Sequence, residues 1–128
     1  IFKRRALVFV ISDLQCPDFS SALARAQKRH DMSVFRVVDP WEKELPDLGR
    51  LRVRDLETGA SVRLDTSNAE LRKAYQQRQQ ENWQKTRQIL DGTKVDWAEF
   101  QTNEPVVGPL TRFFQQKKRR RFRRRVNP

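Results

Sequence analysis

The sequence of 128 residues has little of what builds most metal and redox sites. It contains one cysteine, Cys16, and one histidine, His30. A single cysteine excludes an intrachain disulfide, and this pair does not supply the Cys/His set of a structural zinc site. We therefore expect a reducing compartment, the cytoplasm, with the inner face of the membrane as an alternative location.

Glycine is also scarce, and no long apolar run occurs. The four glycines are isolated from one another, so neither a G-x-G-x-x-G nor a G-K-[ST] phosphate loop is present. This argues against an ATPase or a nicotinamide-dependent enzyme. No apolar segment approaches the roughly 20 residues that a membrane-spanning helix needs.

Positive charge is abundant but unevenly distributed. The net charge is +11, and eight of the basic residues lie in the stretch KKRRRFRRR, which leaves +3 for the remainder. We predict one domain over residues 1–116, followed by a basic, disordered tail over residues 117–128. The tail is either passive or a ligand for anionic membranes or nucleic acid. Its candidate phosphate or lipid ligands are Lys117, Lys118, Arg119, Arg120, Arg121, Arg123, Arg124 and Arg125.

Three apolar segments predict the core strands. Ala6–Ile11 is a continuous apolar run, which is typical of a strand buried on both faces of a parallel sheet. Met32–Val38 and Val95–Phe100 predict the second and third core strands. Helical periodicity between these segments predicts an α/β fold: a mostly parallel sheet with helices on both faces. The first helix is expected to open at Pro17 and Asp18.

An inserted β-hairpin and two more helices complete the prediction. Leu51–Thr66 alternates apolar and polar residues around a turn at Glu57-Thr58-Gly59. Ser67 and Glu70 have the spacing of a capping box, which predicts the start of a long helix. The final helix should begin near Pro105 or Pro109 and end before the basic tail.

Acids and hydroxyls follow the predicted core strands. Ser12 and Asp13 end the first strand, Asp39 follows the second, and Thr102 and Glu104 follow the third. Because parallel strands end at one edge of a sheet, these oxygens could form a Mg²⁺ or Mn²⁺ site there. The alternative is structural: these side chains cap helices and close turns.

Several segments resemble one bacterial family. They are VFVISD, RVVDPWEKELPD, DLETG and TNEPVVGPLTRFF, and together they run over nearly the whole chain. The sequence is similar to the family called domain of unknown function 58, whose domain resembles a von Willebrand factor A domain. The resemblance implies that this chain is the C-terminal half of such a domain, cut from a longer protein.

The resemblance also implies which residue could serve a cation. Von Willebrand A domains bind a divalent cation at the top of the sheet, using a first-strand D-x-S-x-S motif and a later aspartate. Asp13 matches that later aspartate, which would reach the metal through water, with Ser12 beside it. No D-x-S-x-S motif occurs in this sequence, and Leu14 stands where many A domains have glycine. We therefore expect Mg²⁺ or Mn²⁺ only in the full-length protein, and none in this piece.

The function that the resemblance implies is a non-enzymatic protein-interaction module. Members of the family are commonly encoded beside MoxR-type AAA+ ATPases, so such an ATPase is the expected partner. Docking would use Asp13, Asp39, Trp41 and Glu104, although Trp41 could instead pack on the hairpin. An unpaired edge strand also predicts self-association of the piece. The alternative hypothesis is a metal-dependent phosphoesterase or nuclease that uses Asp13, Asp39 and Glu104.

Overall fold

A computed structural model of the chain describes residues 4–16, 19–55 and 58–126. Three parallel strands form the main sheet in the order β1-β2-β5. They are β1 (Leu7–Ser12), β2 (Asp31–Val38) and β5 (Asp96–Gln101). The prediction of a mostly parallel sheet inside a mixed α/β fold is therefore confirmed.

Within the described residues, four helices accompany the strands: α1 (Ser20–Arg29), α2 (Pro40–Lys43), α3 (Ala69–Thr93) and α4 (Val107–Val126). The predicted opening of the first helix at Pro17 and Asp18 lies outside the described residues. The structure differs from the prediction at the C-terminus, because α4 continues as a helix through Val126. Lysine and arginine are good helix formers, so a basic composition does not end a helix that is already nucleated.

The chain divides into two compact units, the first from residues 1–39 and 85–128 and the second from residues 40–84. The predicted single domain over residues 1–116 thus contains parts of two such units. The first unit holds the parallel sheet, α1, α4 and the end of α3. The second holds α2, the hairpin and the greater part of α3.

Neighbouring residues of β2 show how helices cover both faces of the sheet. Val34, which is 1% exposed, lines an apolar cavity together with Leu23 of α1. The next residue, Phe35, points to the opposite face because side chains alternate along a strand. There it meets the ring of Phe113 from α4 edge-on at 5.0 Å, and Phe100 of β5 joins the same buried cluster.

The first strand is less buried than its sequence predicts. Leu7, Phe9 and Ile11 are 56%, 40% and 68% exposed, so the prediction of burial on both faces is wrong for β1. The reason is its place in the sheet. β1 is an edge strand, and among the described rings Phe114 of α4 reaches it by an edge contact with Phe9 at 6.0 Å.

The predicted hairpin is present in the second unit. β3 (Arg50–Arg54) pairs antiparallel with β4 (Ser61–Asp65), and Arg52 lies directly opposite Arg63. Gly59 has a φ of +72°, which glycine adopts without the steric cost of a Cβ. Glu57 of the predicted turn lies outside the described residues.

The long helix α3 is capped by a different residue from the one predicted. The side-chain oxygen of Asn68 accepts hydrogen bonds from the backbone N–H groups of Glu70 and Leu71, at 2.9 and 3.2 Å. Ser67 instead donates its hydroxyl to Asp65. Hydrogen bonds from the side chain and the backbone of Ser67 lower the pKa of the Asp65 carboxyl, and Arg50 lowers it further. The capping-box prediction is therefore wrong, and Asn68 is the N-cap.

Candidate functional site: the carboxyl edge of the parallel sheet

The end of β1 is a tight, hydrogen-bonded loop. The Ser12 hydroxyl oxygen accepts the backbone N–H of Leu14 at 3.0 Å, and its own proton points toward Asp13 Oδ1 at 3.4 Å. The same carboxylate oxygen accepts the N–H of Gln15 at 3.2 Å. Asp13 is nevertheless exposed. The loop therefore holds a carboxylate in a fixed position at the surface.

Leu14 stores backbone strain in this loop. Its φ is +60°, the left-handed region that costs a non-glycine residue roughly 1–2 kcal/mol. Its side chain is only 7% exposed and lines the apolar cavity with Phe19 and Leu23. Burying a leucine stabilises a fold by about 1.5–3 kcal/mol, which offsets the strain.

A second pair of bonds joins the ends of β2 and β5. The Thr102 hydroxyl donates to Asp39 Oδ2 at 3.2 Å, and the Thr102 N–H donates to the carbonyl oxygen of Val38 at 3.0 Å. Asp39 and Thr102 are both exposed. The structure thus brings together two of the residues that the sequence placed at this edge, and their contact is a direct hydrogen bond.

Glu104 lies in the turn that follows β5. Its backbone N–H donates to the carbonyl oxygen of Gln101 at 3.2 Å, and its side chain is exposed. Val106 and Val107 come next and are 52% and 76% exposed. The segment after β5 therefore presents a carboxylate and two apolar side chains to solvent.

Within residues 4–16, 19–55 and 58–126, no three His, Cys, Asp or Glu side chains form a group that could hold a metal ion. The three acids that the sequence predicted for metal chemistry, Asp13, Asp39 and Glu104, do not form such a group there. The hydrogen bonds of Ser12 and Thr102 close the loops at the strand ends. This is the role predicted from the sequence as the alternative to a metal site.

Trp41 lies in the second unit, within the short helix α2. Its side chain is 57% exposed, and its carbonyl oxygen accepts the Tyr75 hydroxyl at 3.2 Å. Burial raises the pKa of Tyr75, which keeps the hydroxyl protonated for this bond. The aromatic anchor predicted from the sequence is thus a largely solvent-facing ring.

Lys117 differs from the other candidate phosphate ligands because it is buried. Its ammonium donates to Ser33 Oγ at 2.6 Å and pairs with Asp31 at 3.0 Å. Asp96 lies 3.7 Å away and also accepts Arg120 at 3.1 Å. Desolvation lowers the pKa of Lys117, and Asp96 opposes that shift. Lys117 is therefore engaged inside the fold.

The remaining basic candidates lie on the same helix. Lys118, Arg119 and Arg120 are exposed, and Arg121, Arg123, Arg124 and Arg125 fall within the bounds of α4. Sequence reasoning missed the special position of Lys117. Asp31 and Asp96 begin β2 and β5, and they lie near each other because these two strands pair in the sheet, which the sequence alone did not show.

None of the helices in the described part of the chain is both long and apolar enough to cross a membrane. The fold and this edge define an α/β domain that displays acids at the carboxyl ends of its parallel strands. The family described as "Protein of unknown function DUF58" matches residues 1–85. The chain therefore belongs to this family.

One curated relative is Uncharacterized protein MAV169 from Mycobacterium avium. It is 37% identical to this chain over 71 residues, which are 55% of this chain and 41% of the relative. The matched segment thus spans less than half of the relative's length. No solved structure matches the chain significantly.

Proposed function

We propose that this chain is a non-enzymatic protein-interaction module that works with a MoxR-type AAA+ ATPase. The observation that supports this is the composition of the carboxyl edge. Exposed Asp13 and Glu104 occur there together with exposed Val106 and Val107. An acidic surface with apolar side chains next to it suits a partner that offers basic residues around an apolar contact.

The rigidity of this edge also favours binding. Asp13 is held by the loop bonds of Ser12 and Gln15, and Asp39 is held by Thr102. Carboxylates that are already positioned lose little conformational entropy when a partner binds. Trp41, in the second unit, is a further proposed contact, since exposed tryptophan is enriched among binding hot spots.

We also propose that the chain is the C-terminal part of a von Willebrand A-like domain. The order β1-β2-β5 follows the chain order, as in one half of a doubly wound sheet, and β1 is an edge strand with which upstream strands could pair. Its exposed residues Leu7, Phe9 and Ile11 share one face of the sheet, which other upstream segments would cover. In the longer protein, Asp13 would then reach Mg²⁺ or Mn²⁺ through water, with the remaining ligands supplied from upstream residues and from the partner.

Isothermal titration calorimetry against a MoxR-type ATPase from the same organism tests the proposal. The variant Asp13→Asn/Glu104→Gln removes two charges and keeps an oxygen acceptor at each position. We expect its affinity for the ATPase to fall about tenfold or more, which corresponds to about 1.4 kcal/mol.

The matched control is Glu70→Gln/Glu81→Gln, which removes two exposed charges from α3. Its affinity should stay close to that of the native chain. Absence of binding by the native chain, or an equal loss in both double variants, would contradict the proposed docking edge.

A further inference from the structure

The last turns of α4 contain the longest run of basic residues in the sequence. We call residues 118–125 the basic turns of α4. They contain seven basic residues and Phe122. Among the side chains that the structure describes there, Lys118, Arg119, Arg120 and Phe122 are all exposed, the phenylalanine to 59%. The structure makes this stretch a helix, which changes what it can bind.

The helix is fixed to the sheet where these turns begin. Phe113 packs in the core beside Phe35, and Lys117 lies against Asp31 and Asp96, the first residues of β2 and β5. α4 therefore runs antiparallel to the strands, from their carboxyl ends toward their amino ends. The six residues from 121 to 126 add about 9 Å of helix beyond the last contact with Asp96, which is made by Arg120.

The distribution of charge around the helix distinguishes two kinds of anionic partner. Successive helical positions lie about 100° apart, so a run of eight positions that contains seven basic residues leaves no room for an apolar stripe along the helix. A helix that lies on a membrane needs a continuous apolar face. The basic turns offer one apolar residue, Phe122. A nucleic-acid groove, which has phosphates along both walls, suits a basic helix without an apolar face better than a membrane surface does.

We propose that the basic turns of α4 bind double-stranded DNA through its phosphates, without sequence preference, with the helix lying in the major groove. The major groove of B-DNA is about 12 Å wide and admits an α-helix. Arginine suits this role because its planar guanidinium can donate two parallel hydrogen bonds to a phosphate. The buried Lys117 cluster holds the helix so that these turns lead away from the sheet, opposite to the acidic carboxyl edge.

Fluorescence anisotropy with a labelled 20-base-pair duplex provides the test. Neutralising five phosphates predicts a slope of about −4.5 in a plot of log K against log salt concentration. The variant Lys118→Gln/Arg119→Gln/Arg123→Gln/Arg124→Gln leaves Lys117 and Arg120 in place, and glutamine retains helix propensity. Three basic residues of these turns remain in the variant, so we expect it to bind at least tenfold more weakly at 50 mM salt, with a slope no steeper than about −2.7.

A matched control removes four positive charges elsewhere, in the variant Arg52→Gln/Arg54→Gln/Arg63→Gln/Arg78→Gln. Its affinity for the duplex should remain within threefold of the native value. Circular dichroism should show unchanged helix content in both variants. Equal loss in both variants, or absence of duplex binding at low salt, would overturn the proposal. So would stronger binding to phosphatidylserine vesicles than to DNA, since that would identify a membrane surface.

Discussion

Truncating Phe113 to alanine should weaken the packing of α4 on the sheet more than the same change at Phe114. Phe113 is 7% exposed, and its ring lies edge-on to Phe35 at 5.0 Å and to Phe114 at 5.4 Å. It also belongs to the buried cluster that contains Phe100. The variant Phe113→Ala removes the ring that joins the helix to two strands at once.

The expected loss of stability follows from burial and cavity formation. Replacing a buried phenylalanine by alanine typically lowers the free energy of unfolding by about 3–5 kcal/mol. An aromatic pair that is lost with the ring accounts for about 0.5–1.5 kcal/mol. We expect a decrease of about 3–4 kcal/mol in the free energy of unfolding. Urea unfolding followed by circular dichroism at 222 nm measures it directly.

Phe114→Ala is a matched control because it makes the same change at the next position of the same helix. Phe114 is 41% exposed and reaches Phe9 at 6.0 Å on the open edge of the sheet. Its removal leaves no enclosed cavity, so we expect a loss of about 1–1.5 kcal/mol. An equal or larger loss for Phe114→Ala than for Phe113→Ala would refute this description of the core.

Two further predictions concern a buried charge and a helix cap. Because burial lowers the pKa of Lys117 below its ordinary value of 10.5, the unfolded chain binds more protons than the folded chain as pH rises toward that value. The free energy of unfolding should therefore rise with pH as the pH approaches 10.5 in urea titrations, and this rise should be smaller in Lys117→Met. Asn68→Ala should cost about 1 kcal/mol in the same assay. Ser67→Ala should cost clearly less, and the reverse order would restore Ser67 as the cap.

The parallel sheet was predictable because its signals are local and strong. Runs of β-branched and apolar residues separated by helical periodicity favour parallel strands, and the predicted strand Met32–Val38 lies entirely within β2. The exposure of β1 was not predictable in this way. An apolar run indicates that a strand can be buried, whereas its neighbours decide whether it is buried, and Leu7 and Ile11 lie at an edge.

In the candidate site, too, some features were predictable from the sequence and others were not. The position of Asp13 and Asp39 at one edge followed from the rule that parallel strands end together, and the bond between Asp39 and Thr102 agrees with it. The burial of Lys117 did not follow from the sequence, because nothing in a run of eight basic residues among nine distinguishes one of them from the others. Its burial depends on Asp31 and Asp96, which are distant in sequence and adjacent in the sheet.

The like-charged pair in the hairpin has a consequence for how the chain responds to ionic strength. Arg52 faces Arg63 across β3 and β4, at the separation where equal charges destabilise a strand pair. The Debye length shortens from about 30 Å at 0.01 M salt to about 8 Å at 0.15 M, so added salt weakens this repulsion. Salt should therefore tighten the hairpin while it weakens any complex that α4 makes with a polyanion. The two basic surfaces of one chain would respond to the same ions in opposite directions.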